Sequence, residues 1–362
     1  MMSEADVVKG LTEELLSVNH FTREDVYTTF EAFVKNKELL RRCVDIGDLH
    51  FDYIKYQTMF KNTLFEEGIS SIIELTHHAY QVSDKTTTDV LTEGYRRFVQ
   101  GLAHYTQTLW SNSPSIDRTR PDVFVKAAFS RIGDAIENSL KPYLLTTNEM
   151  RCIIENSVPK QKTLGAVVDA LIQYDPIFKA LYSDLLLGIT VSQWRNIANH
   201  GDYRYAQDGI HIEYGPESER KRKTISQDEL TLVLIAIDNL LYMNKTARTL
   251  VSIDYYGRYS SEPGRSEKST FTRKDDQIMQ IVETSYAYGF TVSNLELSDT
   301  LCELEINQSF GRVSKAELQT YLSLLSAMLD RPFFCLIYRK NKVEYTADFK
   351  NRQLIVMRYI VQ

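Results

Sequence analysis

Apolar positions recur at helical spacing through most of the chain. Thr22 is placed as an N-cap with Glu24 and Asp25 in the first turn, and Val26, Phe30, Phe33 and Val34 follow on one face. Tyr53, Tyr56 and Phe60 mark another amphipathic piece, and residues 69–80 another. Lys85 to Asp89 breaks the pattern and opens a helix through Leu109. A loop-like stretch from Ser111 to Arg120 then marks a candidate boundary, and Pro121 suits the first turn of the next helix. Val123, Phe124, Ala127, Ala128 and Ile132 supply its apolar face, and helices over 148–156 and 163–172 follow. Asp175-Pro176 caps a long apolar helix expected to end at His200. Residues 210–214 alternate like a strand, and after the turn Gly215-Pro216, Lys223-Thr224-Ile225 is its expected partner. Ser226 to Glu229 has capping-box spacing and opens a helix over 230–250.

Residues 256–275 are rich in Gly, Ser and charge and read as a linker. Beyond it, 276–288 is expected to be helical and 302–306 extended. Ser314 to Glu317 caps a helix to Leu329, and 333–338, 343–349 and 354–361 alternate like strands. The chain thus divides into a helical region 1–112, a bundle 113–255, the linker, and a small α+β domain 276–362 of unknown role. The class is mainly α.

At 362 residues and 43% hydrophobic, the chain can bury a sizeable core. A net charge of -6 argues against coating nucleic acid non-specifically, while leaving room for a local cationic cleft. Cys43, Cys152, Cys302 and Cys335 lack paired spacing, which points to a reducing compartment without a disulfide framework or zinc module. Glu4, Asp6, Glu13 and Glu14 argue against a signal peptide, and no apolar run reaches membrane-spanning length. The expectation is a cytoplasmic protein with no membrane contact.

The densest chemistry lies in 193–201, Gln-Trp-Arg-Asn-Ile-Ala-Asn-His-Gly. On a helix at about 100° per residue, Arg195, Asn196, Asn199 and His200 share a polar sector, opposite Trp194, Ile197 and Ala198. Asn196 lies one turn before His200, where its amide can hydrogen-bond the imidazole and fix the tautomer. Gly201 can take the left-handed conformation that ends a helix. A guanidinium for phosphate and a histidine for proton transfer are what metal-free RNA cleavage needs.

Arg195-Asn196-x-x-x-His200 resembles the Arg-polar-x-x-x-His motif of the HEPN superfamily (higher eukaryotes and prokaryotes nucleotide-binding). Its setting is also similar, with a helix opening Lys162-Thr163-Leu164-Gly165 and the apolar segment 177–191 before it. Gly201-Asp202-Tyr203, a hairpin and a last helix follow. The resemblance covers roughly 121–250. It implies a HEPN-like helical bundle with a small β-hairpin insert, preceded by a helical region and followed by the α+β domain. It also implies a metal-independent endoribonuclease that needs no cofactor and acts as a homodimer with a composite site. His200 then serves in acid/base work, Arg195 holds phosphate and Asn196 orients His200. Family members of this kind are toxins or antiviral defence effectors, with an antitoxin or sensor as possible partner.

Two further features leave alternatives open. Some HEPN toxins carry His-x-Tyr, whose tyrosine is modified to silence them; here His200-Gly201-Asp202-Tyr203 is one residue longer. Tyr203 either stacks on a base or packs. The basic run Arg220, Lys221, Arg222 and Lys223, expected near the hairpin tip, is either a solvated loop or a phosphate-tracking finger for RNA.

His77-His78 lacks ligands at metal spacing, and Arg97 with His104 echoes the motif but carries Phe98 at the polar position. No phosphate-binding loop, nucleophile elbow or His-Glu-x-x-His occurs. The competing readings are a non-catalytic HEPN adaptor binding RNA, a nucleotide or a protein, and a structural helical assembly protein.

Overall fold

A computed structural model describes residues 21–46, 49–59, 63–111, 120–157 and 163–259. It also describes strands between 290 and 360 and single helical positions at 278, 281, 282, 285 and 321. The expected segments 260–275 and 314–329, like residues 1–20 and Lys162, lie outside the described residues, apart from Tyr321.

The chain divides into two compact units, residues 1–54 with 266–362, and residues 55–265. Among the described residues, the first contains α1 (Arg23–Glu31) and α2 (Lys37–Ile46). Thr22 caps α1 as expected, in a reciprocal box with Asp25, and Val26 and Phe30 are fully buried. Helix α3 (His50–Met59) crosses from the first unit into the second.

The second unit contains α4 (Leu64–Val82), α5 (Asp84–Ser111), α6 (Pro121–Asp134), α7 (Lys141–Ile154), α8 (Leu164–Tyr174), α9 (Pro176–Tyr182), α10 (Val191–His200), α11 (Gln227–Asp254) and α12 (Tyr256–Tyr259). The boundary expected at 112 does not separate units, because α4 and α5 pack into this bundle. Phe65, Ile69, Ile72 and Ala79 bury one face of α4, which lies against α11. At Gly68 a Cβ would meet Met243 Sδ of α11 at 2.5 Å and Leu181 Cδ1 of α9 at 2.8 Å, so both helices pack closely on α4. A loop-like composition marks a connection, and burial decides whether that connection separates domains.

Between α6 and α7 the helix does not stop. Residues Ala135–Leu140 form a π-helical segment, and Lys141 N–H reaches back to Ile136 O. Such widened turns re-aim the side chains they carry.

The long helix expected from Pro176 to His200 is two helices. Asp175 caps α9 as expected, its Oδ1 accepting from Ile177 N at 2.9 Å. The chain then turns through a 3-10 segment (Asp184–Leu186), with Leu187 and Gly188 at φ +62° and +77°. Thr190 restarts the helix in a capping box with Gln193. The turn lets Phe178, Leu181, Leu186, Ile189 and Val191 all reach the core, which one straight helix with a single buried face does not allow.

The expected hairpin is a three-stranded antiparallel sheet of β1 (Tyr203–Ala206), β2 (Gly209–Tyr214) and β3 (Lys221–Ile225), in that order. β1, four residues long and half exposed, carries too little pattern to be read from sequence. The β2–β3 pairing is as expected, with Ile210 opposite Ile225.

In the C-terminal part β4 (Phe290–Leu297), β5 (Leu301–Gln308), β6 (Phe333–Lys340), β7 (Val343–Lys350) and β8 (Gln353–Ile360) form one sheet in chain order. Only β5 and β6 pair in parallel, and the others pair antiparallel. The chain is mostly helical with small sheets. Among the described residues no helix is long and apolar enough to cross a membrane.

Candidate functional site

Helix α10 is anchored at both ends. Trp194 and Ile197 are fully buried, and the Trp194 indole donates to Leu186 O at 3.0 Å. Gly201 adopts φ +71°, and Asp202 N–H closes the end on Ile197 O at 3.1 Å. The opposite face carries Arg195, half-buried, with Asn196, Asn199 and His200 exposed. The polar and apolar sectors are therefore those the sequence predicts.

Arg195 is the organised member of the group. Its Nε donates to Glu137 Oε2 at 2.7 Å, and its Nη1 donates to Asn196 Oδ1 at 3.0 Å. Nη2 has no partner among the described residues. Glu137 projects from the π-helical segment and also accepts from Lys141 Nζ. Partial burial opposes ionisation of Glu137, but the hydrogen bonds from Lys141 and Arg195 outweigh it and hold the carboxyl below its ordinary value. One carboxylate shared by two cations leaves this cluster with one positive charge, suited to an anion.

The expected Asn196–His200 hydrogen bond does not form. The Asn196 oxygen is committed to Arg195, and the His200 ring has no hydrogen-bond partner among the described residues. A neighbouring guanidinium is a stronger donor to that oxygen than an imidazole one turn away.

Gly133 sets the distance between α6 and α10. A Cβ on it would collide with Asn199 Oδ1 and stand 3.3 Å from Ala198 Cβ. The same crossing buries Phe129, whose ring stacks on Tyr203 at 4.0 Å between centroids and 12° between planes. Of the two roles open to Tyr203, one ring face is therefore used in packing.

The basic run lies near the β2–β3 tip, as expected: Arg220 ends the connection between the two strands, and Lys221 pairs with Tyr214 at its base. Lys221, Arg222 and Lys223 lie within β3, opposite Tyr214, Glu213 and Ile212. Arg220 bonds Asp202 and contacts Glu213 at 3.1 Å, while Arg222 Nε donates to Glu213 at 2.9 Å. Lys223 Nζ donates to Leu187 O at 2.9 Å, across the turn before α10. Lys221 alone of the four has no partner among the described residues. Arg220 and Arg222 are thus paired with acids of the sheet and its flank, and Lys223 ties the sheet to the turn before α10.

The other sequence features are separate. His77 Nδ1 lies 2.6 Å from Tyr255 OH, and His77 Nε2 faces Asp254 at 3.5 Å. Arg97 contacts Glu93 and Glu149, each at 3.4 Å, and the His104 side chain lies outside the described residues.

Sequence reasoning missed Glu137 and Lys141. Their four-residue spacing signals only a helix-surface pair, and nothing local connects Glu137 to Arg195. No family model, curated protein or solved structure matches the chain.

Proposed function

We propose that this protein is a metal-independent endoribonuclease of HEPN type, cleaving RNA by attack of a 2′-hydroxyl on the adjacent phosphate. The observation that carries the reading is the Glu137–Arg195–Asn196 chain of hydrogen bonds beside exposed His200. Arg195 offers its remaining N–H donors to the phosphate oxygens, which gather charge as the fifth bond forms. His200 takes the hydroxyl proton or protonates the departing 5′-oxygen. One chain supplies one such histidine, so both roles are filled when a second copy brings its own His200 to the same phosphate. The resemblance alone suggests a cytoplasmic toxin or antiviral effector, with an antitoxin or sensor as partner.

The test is cleavage of RNA in EDTA by wild type and His200→Ala, with end groups mapped. The reading expects cleavage by wild type alone, leaving 2′,3′-cyclic phosphate and 5′-hydroxyl ends. Equal cleavage by both proteins overturns the assignment of His200.

A second reading, a non-catalytic HEPN adaptor, is favoured by one observation. Among the described residues His200 has no orienting hydrogen bond, whereas catalytic imidazoles are ordinarily held in one tautomer by a partner. RNA binding without cleavage by either protein supports it.

A further inference from the structure

The small sheet carries a second constellation, separate from Arg195 and His200. His211 of β2 stands opposite Thr224 of β3. Thr224 Oγ1 lies 2.9 Å from His211 Nδ1, and Asp208 Oδ1 lies 2.9 Å from His211 Nε2. The hydrogen bond from His211 holds the Asp208 carboxyl below its ordinary value, so it is ionised and only accepts. Nε2 therefore carries a proton. In the neutral imidazole Nδ1 is then an acceptor, and the Thr224 hydroxyl donates to it. Carboxylate, imidazole and hydroxyl follow in the order that activates an oxygen nucleophile.

Two features seat this relay. Gly209 lies so close to β3 that a Cβ there would meet Thr224 Cγ2 at 2.9 Å. Asp208, Gly209 and Thr224 line a groove of about 350 Å³ together with Tyr205 and Gln227. Tyr205 is 42% exposed and gives an apolar wall.

We propose that Asp208, His211 and Thr224 form a second reactive centre that accepts the acyl group of small uncharged esters on Thr224 Oγ1. The size of the groove sets the limit on the ester, and the Asp208 carboxylate disfavours anions. Thr224 Oγ1 bonds to the carbonyl carbon while its proton passes to His211 Nδ1. The bond to the alkoxy oxygen breaks, and the leaving alcohol takes that proton. Water then attacks the acyl-threonine, again delivering a proton to His211. The carboxylic acid departs as the proton returns to Thr224. His211 Nε2 keeps its proton throughout, donating it to Asp208, which orients the ring.

The experiment treats the full chain with p-nitrophenyl acetate and with a fluorophosphonate probe, and locates the adduct by peptide mass spectrometry. The expected result is nitrophenol release and an adduct on Thr224. Both fall roughly a hundredfold in Thr224→Val and His211→Asn and persist in Thr224→Ser. Valine keeps the shape of threonine, so melting curves separate loss of the nucleophile from loss of the fold. A folded wild type with no adduct on Thr224 overturns the proposal. So does an adduct that forms undiminished in folded His211→Asn, or one found only on another residue.

Discussion

Glu137 Oε2 accepts a hydrogen bond from Arg195 Nε at 2.7 Å, joining the π-helical turn after α6 to the polar face of α10 across 58 residues of chain. With Asn196 on Nη1, this contact fixes the plane of the guanidinium and leaves Nη2 without a partner among the described residues. Under the proposed function Glu137 is a positioning residue.

Replacing Glu137 with Ala frees Arg195 to rotate. RNA cleavage is expected to fall about 10- to 100-fold in kcat with little change in KM, and Glu137→Gln to retain more activity than Ala. Stability follows the lowered carboxyl pKa. The contribution of the ionised group is complete above the ordinary carboxylate value and is lost as pH falls through the folded value. Urea titrations at neutral and acid pH are expected to show wild type and Glu137→Gln converging on acidification. A gap that widens on acidification contradicts this.

At the α6–α10 crossing, Gly133→Ala and Gly133→Leu are expected to differ. Alanine meets first the Asn199 oxygen, the end of an exposed side chain that can swing aside, and gains about 1 kcal/mol of helix propensity. It is expected to be nearly neutral. Leucine must also displace Ala198, whose Cβ is 3.3 Å from the first added carbon, and is expected to cost about 1–3 kcal/mol. Chemical denaturation of the two variants gives the comparison.

Lys55 sits over the Tyr242 ring at 5.1 Å, near the Arg131–Asp238 pair at 2.6 Å. Burial lowers its pKa to about 8; Asp238 opposes the shift, and Lys245 and Arg131 add to it. Between that value and the ordinary one the unfolded chain holds a proton the folded chain lacks. Stability from this group therefore rises with pH across the window and is lost as pH falls through about 8. Lys55→Met is expected to raise stability near pH 7 by up to about 3 kcal/mol, an advantage that shrinks toward pH 10. Melting temperatures across that range check both sign and trend.

The basic run is expected to act on the fold more than on RNA. Lys221→Ala changes the salt slope of RNA binding by about one or less, because it removes one unengaged cation. Lys223→Ala loses the bond to Leu187 O and is expected to lower the melting temperature. A large loss of salt dependence with unchanged stability in Lys223→Ala reverses this assignment.

The sequence by itself determined the features that depend on neighbours in the chain. The caps at Thr22, Asp175 and Ser226 form the bonds their side chains predict. The polar face of α10, its stop at Gly201 and the β2–β3 pairing were legible for the same reason. The restart at Thr190 was also written locally, in the spacing to Gln193, but the largely apolar segment 177–191, read as one helix, masked it. Only the tertiary structure decided that α4 and α5 belong to the bundle, that Glu137 holds Arg195, and that Asn196 serves Arg195 instead of His200. It likewise paired Arg220, Arg222 and Lys223 with Asp202, Glu213 and Leu187 O. Capping and periodicity act over three or four residues, whereas ion pairing is settled by which helices and strands packing brings together.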